Sequence, residues 1–146
     1  MPSFVPSYIH LYENGKLNDR IHLLREYLKN CKLCPRACGI NRLEGEVGVC
    51  QAGTELTISS AFPHFGEERP LVGQHGSGTI FLTHCNLRCI FCQNYDISHL
   101  GNGERVSPSD LAGMMLRLQE MGCHNINFVT PTQYAPQILS SFPEAI

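Results

Sequence analysis

The sequence predicts an α/β fold, a parallel strand–helix–strand unit carried behind a cysteine-rich leader. Two patterns predict the unit and a third predicts the leader. Residues 79–83 (Thr-Ile-Phe-Leu-Thr) form a short apolar run that reads as a buried strand, and residues 125–130 (Asn-Ile-Asn-Phe-Val-Thr) alternate as a second one. Between them Leu111, Met114, Met115, Leu118 and Met121 recur at helical spacing. Strand, helix and strand in that order imply a parallel pair with a right-handed crossover. The cysteines cluster ahead of this unit and at its first strand: Cys31, Cys34, Cys38 and Cys50 in one group, Cys85, Cys89 and Cys92 in another, with Cys123 alone.

Taken in order, residues 1–16 hold prolines and aromatics with little periodicity and read as an extended arm packed on the body. Residues 17–30 turn helical, with Leu17, Ile21, Leu24 and Leu28 on one stripe and Asn18 or Asp19 as the cap. This helix is expected to pack on the domain. The leader follows as C-x2-C-x3-C-x11-C. Four thiols close a tetrahedral site without an outside ligand, and such a set holds either a zinc ion or an iron–sulfur cluster. Gly39, Gly45 and Gly48 supply the turns that return Cys50 to the others.

Residues 56–62 alternate weakly and read as a strand. The segment 63–71 has few core-type residues. Glu67 and Glu68 read there as a solvated turn, with a substrate group or a basic neighbour as the alternative, and His64 reads as a hydrogen-bonded histidine. Gly73, Gly76 and Gly78 lead into the 79–83 strand. Dinucleotide-binding glycines follow a strand instead of preceding it, so these are not that fingerprint. The polar connection 94–106 is long enough to read as a functional loop. Ser107 is a natural N-cap, Pro108 suits the first helical position, Asp110 lies near the positive end of the helix dipole, and Gly122 ends the helix. The methionines follow the helical stripe and read as core packing. Cys123 reads as a small buried residue at the next strand. A last helix is expected to start around Tyr134.

The most informative stretch is Cys85-Asn86-Leu87-Arg88-Cys89-Ile90-Phe91-Cys92, directly after the first strand of the unit. Its C-x3-C-x2-C spacing lets three thiols converge on one point. Iron–sulfur clusters take four cysteine ligands, and catalytic metals keep a position open. Three thiolates therefore suit a [4Fe–4S] cube with one iron left for another ligand. The alternative is a structural zinc knuckle completed by His84 or His99.

With Phe91 ahead of the third cysteine, this loop resembles the signature of the radical S-adenosylmethionine (SAM) superfamily. The following residues 93–98 (Gln-Asn-Tyr-Asp-Ile-Ser) resemble the uncharacterised relatives of pyruvate formate-lyase activating enzyme, and the C-x-x-C-P start and Gly-x-Cys close of the leader are similar to leaders in that branch. The resemblance covers about residues 31–146 and implies the N-terminal part of a partial (β/α) barrel. It divides the chain into an arm and helix (1–30), a metal knuckle (31–55) and an incomplete radical SAM core (56–146). It implies a [4Fe–4S] cluster on Cys85, Cys89 and Cys92, with SAM on the open iron and Phe91 near the adenine. The second site, on Cys31, Cys34, Cys38 and Cys50, takes zinc or another Fe–S cluster. Where the superfamily carries a Gly-Gly-Glu run, this chain has Thr130-Pro131-Thr132, so the Thr130 and Thr132 hydroxyls or nearby carbonyls are expected to serve.

The implied activity is reductive cleavage of SAM to a 5′-deoxyadenosyl radical that takes hydrogen from a substrate of unknown identity, a glycyl-radical protein being one candidate, with an external electron donor. Because only the front of the family's domain is matched, the chain is expected to be a piece of a longer enzyme. The competing readings are a non-catalytic iron–sulfur, zinc-binding or electron-transfer module and an inactive fragment. Net charge is −2 and the isoelectric point about 6.4, which gives no basic footprint for nucleic acid. There is no apolar run long enough for a membrane span and no basic-then-apolar leader, so a cytoplasmic protein is expected. In that compartment clustered cysteines bind metals more often than they form disulfides.

Overall fold

The computed structural model describes residues 5–146; the part of the expected arm at 1–4 lies outside the described residues. The rest of that arm is not extended. Ser7–Glu13 form a helix, α1, entered from Pro6 at φ −58°. Tyr8 of α1 packs on Phe142 near the C-terminus, ring centroids 5.5 Å apart, a long-range contact that local sequence does not signal. The next helix, α2, spans Lys16–Glu26 and tightens into a 3-10 turn over Tyr27–Asn30. Its cap is not Asn18 or Asp19. Gly15 takes the cap position at φ 76°, and the Asn14 side chain accepts from the Lys16 amide at 3.1 Å. The stripe reads as expected at its ends, with Leu17 and Leu28 buried.

A four-stranded mixed sheet forms the centre. Strand β1 is Leu56–His64 and β2 is Ser77–Leu82. The short β3, Glu104–Val106, and β4, Ile126–Val129, complete it in the order β3-β1-β2-β4. β1 runs antiparallel to both β2 and β3, with an irregularity between Ile58 and Ser60. β2 and β4 are parallel, in register from Gly78 opposite Ile126 to Phe81 opposite Val129. The strand–helix–strand unit is thus present, while the single sheet shows no barrel.

Three elements go beyond the sequence reading. A one-turn helix, α3, spans Arg69–Val72 after the Glu67-Glu68 turn. The segment 94–106 is not a bare loop, for it holds the one-turn helix α4, Tyr95–Ser98, and strand β3. Its Glu104–Val106 residues pair with Leu56–Ile58, a partnership 46 residues or more away in sequence. Gly78 belongs to β2 itself. A Cβ there would stand 2.8 Å from the Asn125 carbonyl, so glycine permits the close approach to the entry of β4.

Helix α5, Pro108–Glu120, and helix α6, Ala135–Ala145, pack on each other, and α5 also contacts β1, β2 and β3. Leu56, Ile58, Ile80 and Leu82 from the sheet meet Leu111, Ala112, Met115, Leu118 and Ile138 in one core. Cys123 is buried there, as expected. Met121 is not part of the stripe, because it falls at the C-cap and is exposed. Phe62 and Phe81 stack away from this core, centroids 5.7 Å apart. No helix among the described residues is long and apolar enough to cross a membrane.

The start of α5 is a capping box. The Asp110 amide donates to Ser107 Oγ at 3.1 Å, and the Ser107 amide donates to Asp110 Oδ2 at 2.9 Å. The Ser107 hydroxyl, which donates to Asp110 Oδ2 at 2.7 Å, and the Ser107 amide together hold the Asp110 carboxyl below its ordinary value. Ser107→Ala is expected to lower stability by about 1 kcal/mol, measured by urea unfolding at neutral pH. Because the native pKa is depressed, the Asp110 contribution is present at neutral pH and is lost as pH falls through that native value. The gap between Asp110→Asn and the parent should therefore close in acid.

Candidate functional site

The two loops that leave the carboxyl ends of β2 and β4 lie side by side. Phe81 and Val129 are paired, so Thr83 and Thr130 follow at nearly the same level. Gln133, past the end of β4, donates from Nε2 to the Thr83 carbonyl at 3.2 Å and fastens one loop to the other. Ligands gather at this end of parallel strands. It is also where the C-x3-C-x2-C loop begins.

Backbone strain concentrates here. Among the described residues the non-glycine residues at positive φ are Ala37 (40°), Gln51 (64°), His84 (59°), Arg88 (54°) and Thr130 (52°). The first four each adjoin a cysteine, Cys38, Cys50, Cys85 and Cys89 respectively. The fifth, β-branched Thr130, is among the least tolerant residues in that conformation. Such residues cost of order 1–3 kcal/mol each and persist where the surrounding structure holds them, most often at functional sites.

In the three-cysteine loop, Cys85 is buried while Cys89 and Cys92 are half-exposed. The Leu87 amide donates to Cys85 Sγ at 3.3 Å, and the Ser98 hydroxyl donates to Cys92 Sγ at 3.3 Å. The Cys92 amide donates to the Cys89 carbonyl at 3.1 Å and closes the turn between them. Ile90 and Phe91 at its tip are 92% and 87% exposed. His84 Nδ1 is buried without a hydrogen-bond partner, and burial with the nearby Arg88 charge lowers its pKa. His99 stacks on Tyr95 at 4.4 Å and shares a 2.8 Å bond with Ser98 Oγ.

The leader forms a second thiol loop. The Cys31 amide donates to the Ile40 carbonyl at 2.9 Å and the Gly39 amide to the Cys31 carbonyl at 3.0 Å, so the chain closes on itself. Gly48 lies against Cys38, where a Cβ would stand 2.9 Å from the sulfur. Cys31, Cys34, Cys38 and Cys50 line one small cleft of about 10 Å³ together with Arg36, Arg42 and Gln133. Burial pushes the Cys50 thiol up, against the lowering effect of the Ala52 amide and the Arg42 charge.

As the side chains stand, no group of three or more His, Cys, Asp or Glu among the described residues converges closely enough to hold a metal ion. Metal binding at either loop requires these side chains, or their loops, to draw inward. The donor chemistry nonetheless fits thiolate-bound metals, for all eight cysteines are free thiols. Two sulfurs of the C-x3-C-x2-C loop already accept hydrogen bonds, the contacts that tune iron–sulfur centres. Larger grooves of about 370 and 410 Å³ lie elsewhere and are lined by none of the seven clustered cysteines.

Two residues that join the site carry no motif. Arg42 is 1% exposed and donates to the Gln133 carbonyl at 2.8 Å and to the Gly53 carbonyl. Gln133 is buried with Oε1 unpartnered. Gln133 lies outside every motif of the sequence, and an arginine between cysteines gives no sign of burial. Tyr134 is buried beside them, and that burial pushes its phenol up. Thr130 and Thr132 are half-buried in the loop after β4.

No family model matches the chain. Uncharacterized protein MJ0674 of Methanocaldococcus jannaschii is 34% identical over 134 residues, spanning 86% of this chain and 38% of its own length. The chain thus covers well under two thirds of that relative. No solved structure matches.

Proposed function

We propose that this chain is the front part of a radical SAM iron–sulfur protein, with a [4Fe–4S] cluster on Cys85, Cys89 and Cys92 and SAM on the remaining iron. One observation supports this reading above the others. The three-cysteine loop leaves the carboxyl end of β2, with left-handed residues before Cys85 and Cys89, and left-handed Thr130 follows the end of the parallel strand β4. When bound, the cluster supplies the electron, drawn from an external donor, that breaks the sulfonium carbon–sulfur bond to give methionine and a 5′-deoxyadenosyl radical able to take hydrogen from a substrate.

The chain's own residues bind and orient. Phe91, exposed on the turn between Cys89 and Cys92, offers an apolar ring to the adenine. The half-buried Thr130 and Thr132, in the loop at the neighbouring strand end, would offer hydroxyls to the polar amino-acid end of SAM. The Leu87 amide and Ser98 hydroxyl donate to the Cys85 and Cys92 sulfurs and orient them. The hydrogen donor is unidentified, and a glycyl-radical protein is the class the activating-enzyme likeness suggests. The competing reading is a non-catalytic metal or electron-transfer module.

The test is anaerobic reconstitution with iron and sulfide, followed by electron paramagnetic resonance of the reduced protein with and without SAM. The expected result is a [4Fe–4S] signal whose shape changes on adding SAM. A lone zinc ion on these sulfurs, or a cluster indifferent to SAM, would sink the proposal.

A further inference from the structure

We infer that the leader is a single-ion tetrathiolate site, for a borderline-soft divalent cation of the zinc class, and that it splints the C-x3-C-x2-C loop through Arg36. Cys31, Cys34, Cys38 and Cys50 line one cleft of about 10 Å³. That is roughly the space of one water-sized sphere. Four sulfurs on one cleft are the number that closes a tetrahedral site around one ion.

A divalent ion on four thiolates leaves a doubly negative centre, and Arg36 and Arg42 are among the residues that line this cleft. Among the described residues Arg42 has no carboxylate within ion-pair distance, although it is buried. A buried charge is costly unless it is paired. The metal centre would supply that missing partner.

The splint is a pair of hydrogen bonds. Arg36, between Cys34 and Cys38, donates from Nε to the Asn86 carbonyl at 2.6 Å and from Nη2 to the Leu87 carbonyl at 2.9 Å. Both acceptors lie between Cys85 and Cys89, and the Leu87 amide in turn donates to Cys85 Sγ. Closing the leader around an ion fixes the Arg36 backbone, and the guanidinium then holds the backbone of the second loop in place. This inference does not rest on the SAM reading. It concerns the leader's ligands and one arginine, whatever the second loop carries.

The experiment uses the full chain, prepared anaerobically, stripped by a chelator and titrated with Co²⁺ alone, whose visible bands report tetrahedral sulfur ligation. One equivalent is expected to bind tightly, with bands lost in Cys38→Ser and retained in Cys89→Ser. Hydrogen exchange of the amides at 85–92 is expected to slow about tenfold on loading. The parent with and without Co²⁺ carries that comparison with no substitution at all. Arg36→Ala, at an exposed side chain, is expected to keep the bands and lose the slowing. Bands that survive Cys38→Ser or vanish in Cys89→Ser would overturn the site. Slowing that persists in Arg36→Ala, or that is absent in the parent, would overturn the splint. Failure of the SAM response leaves each of these readouts unchanged, so the two proposals fail separately.

Discussion

Cys89→Ala, reconstituted anaerobically with iron and sulfide, is expected to lose essentially all of the sulfide-dependent absorbance assigned to the C-x3-C-x2-C loop. Cys34→Ala is expected to keep most of it. The reason is ligand number. The second loop offers three thiols, Cys85, Cys89 and Cys92, and the two histidines nearest in sequence are committed elsewhere or turned inward. His99 is stacked on Tyr95 and bonded to Ser98, and His84 Nδ1 is buried. With one thiol gone, two remain, too few for a cluster that normally takes four protein ligands and, on the proposed reading, already relies on an outside chelator. Cys34 belongs to the other cleft. Its loss loosens the Arg36 clamp without removing a ligand from the cluster loop. Iron and sulfide analysis of both variants decides the matter. Equal loss in both would mean that the seven thiols form one site, and the division into two centres would be wrong.

Arg42→Met is expected to cost about 3–5 kcal/mol of stability, a large share of what a domain of this size possesses. Arg42 is the largest fully buried side chain among the described residues. It holds the Gly53 and Gln133 carbonyls, and its own carbonyl accepts from Thr54 Oγ. Its guanidinium also lies 6.0 Å from the Tyr134 ring centroid. Methionine fills much of the volume but donates nothing, so two carbonyls lose their partner at the junction of leader, β1 and the loop after β4. The measurement is the urea midpoint at constant slope. A loss below about 1 kcal/mol would show that the desolvation of the guanidinium offsets its bonds, and that the leader is held to the strand ends by other contacts.

Much of the fold is legible because its signals are local. Ser107, Pro108 and Asp110 mark the start of α5 by chemistry that acts within one turn, and the structure shows the capping box there. The parallel pairing of β2 and β4 follows from two apolar strands flanking one amphipathic helix. The readings that fail depend on distant partners. α1 is helical where an extended arm was expected, and it packs through Tyr8 on Phe142 at the far end of the chain. β3 is a strand because β1 offers it an edge, not because Glu-Arg-Val is apolar. The cap of α2 moved to Gly15 because Asn14 bonds the first free amide of the helix.

The sequence by itself determined the chemical inventory: seven thiols in two spaced groups, a strand before one of them, and a Thr-Pro-Thr turn after the next parallel strand. Spacing along the chain suffices for that, because coordination by neighbours a few residues apart is a local property. Only the tertiary structure decided that the two thiol loops touch, through Arg36 on the Asn86 and Leu87 carbonyls, and that Arg42 and Gln133 tie the leader to both strand ends. Those contacts join residues 50 to 91 positions apart. They form because burial and hydrogen-bond satisfaction are settled by the whole packed chain, and no short window of sequence records them.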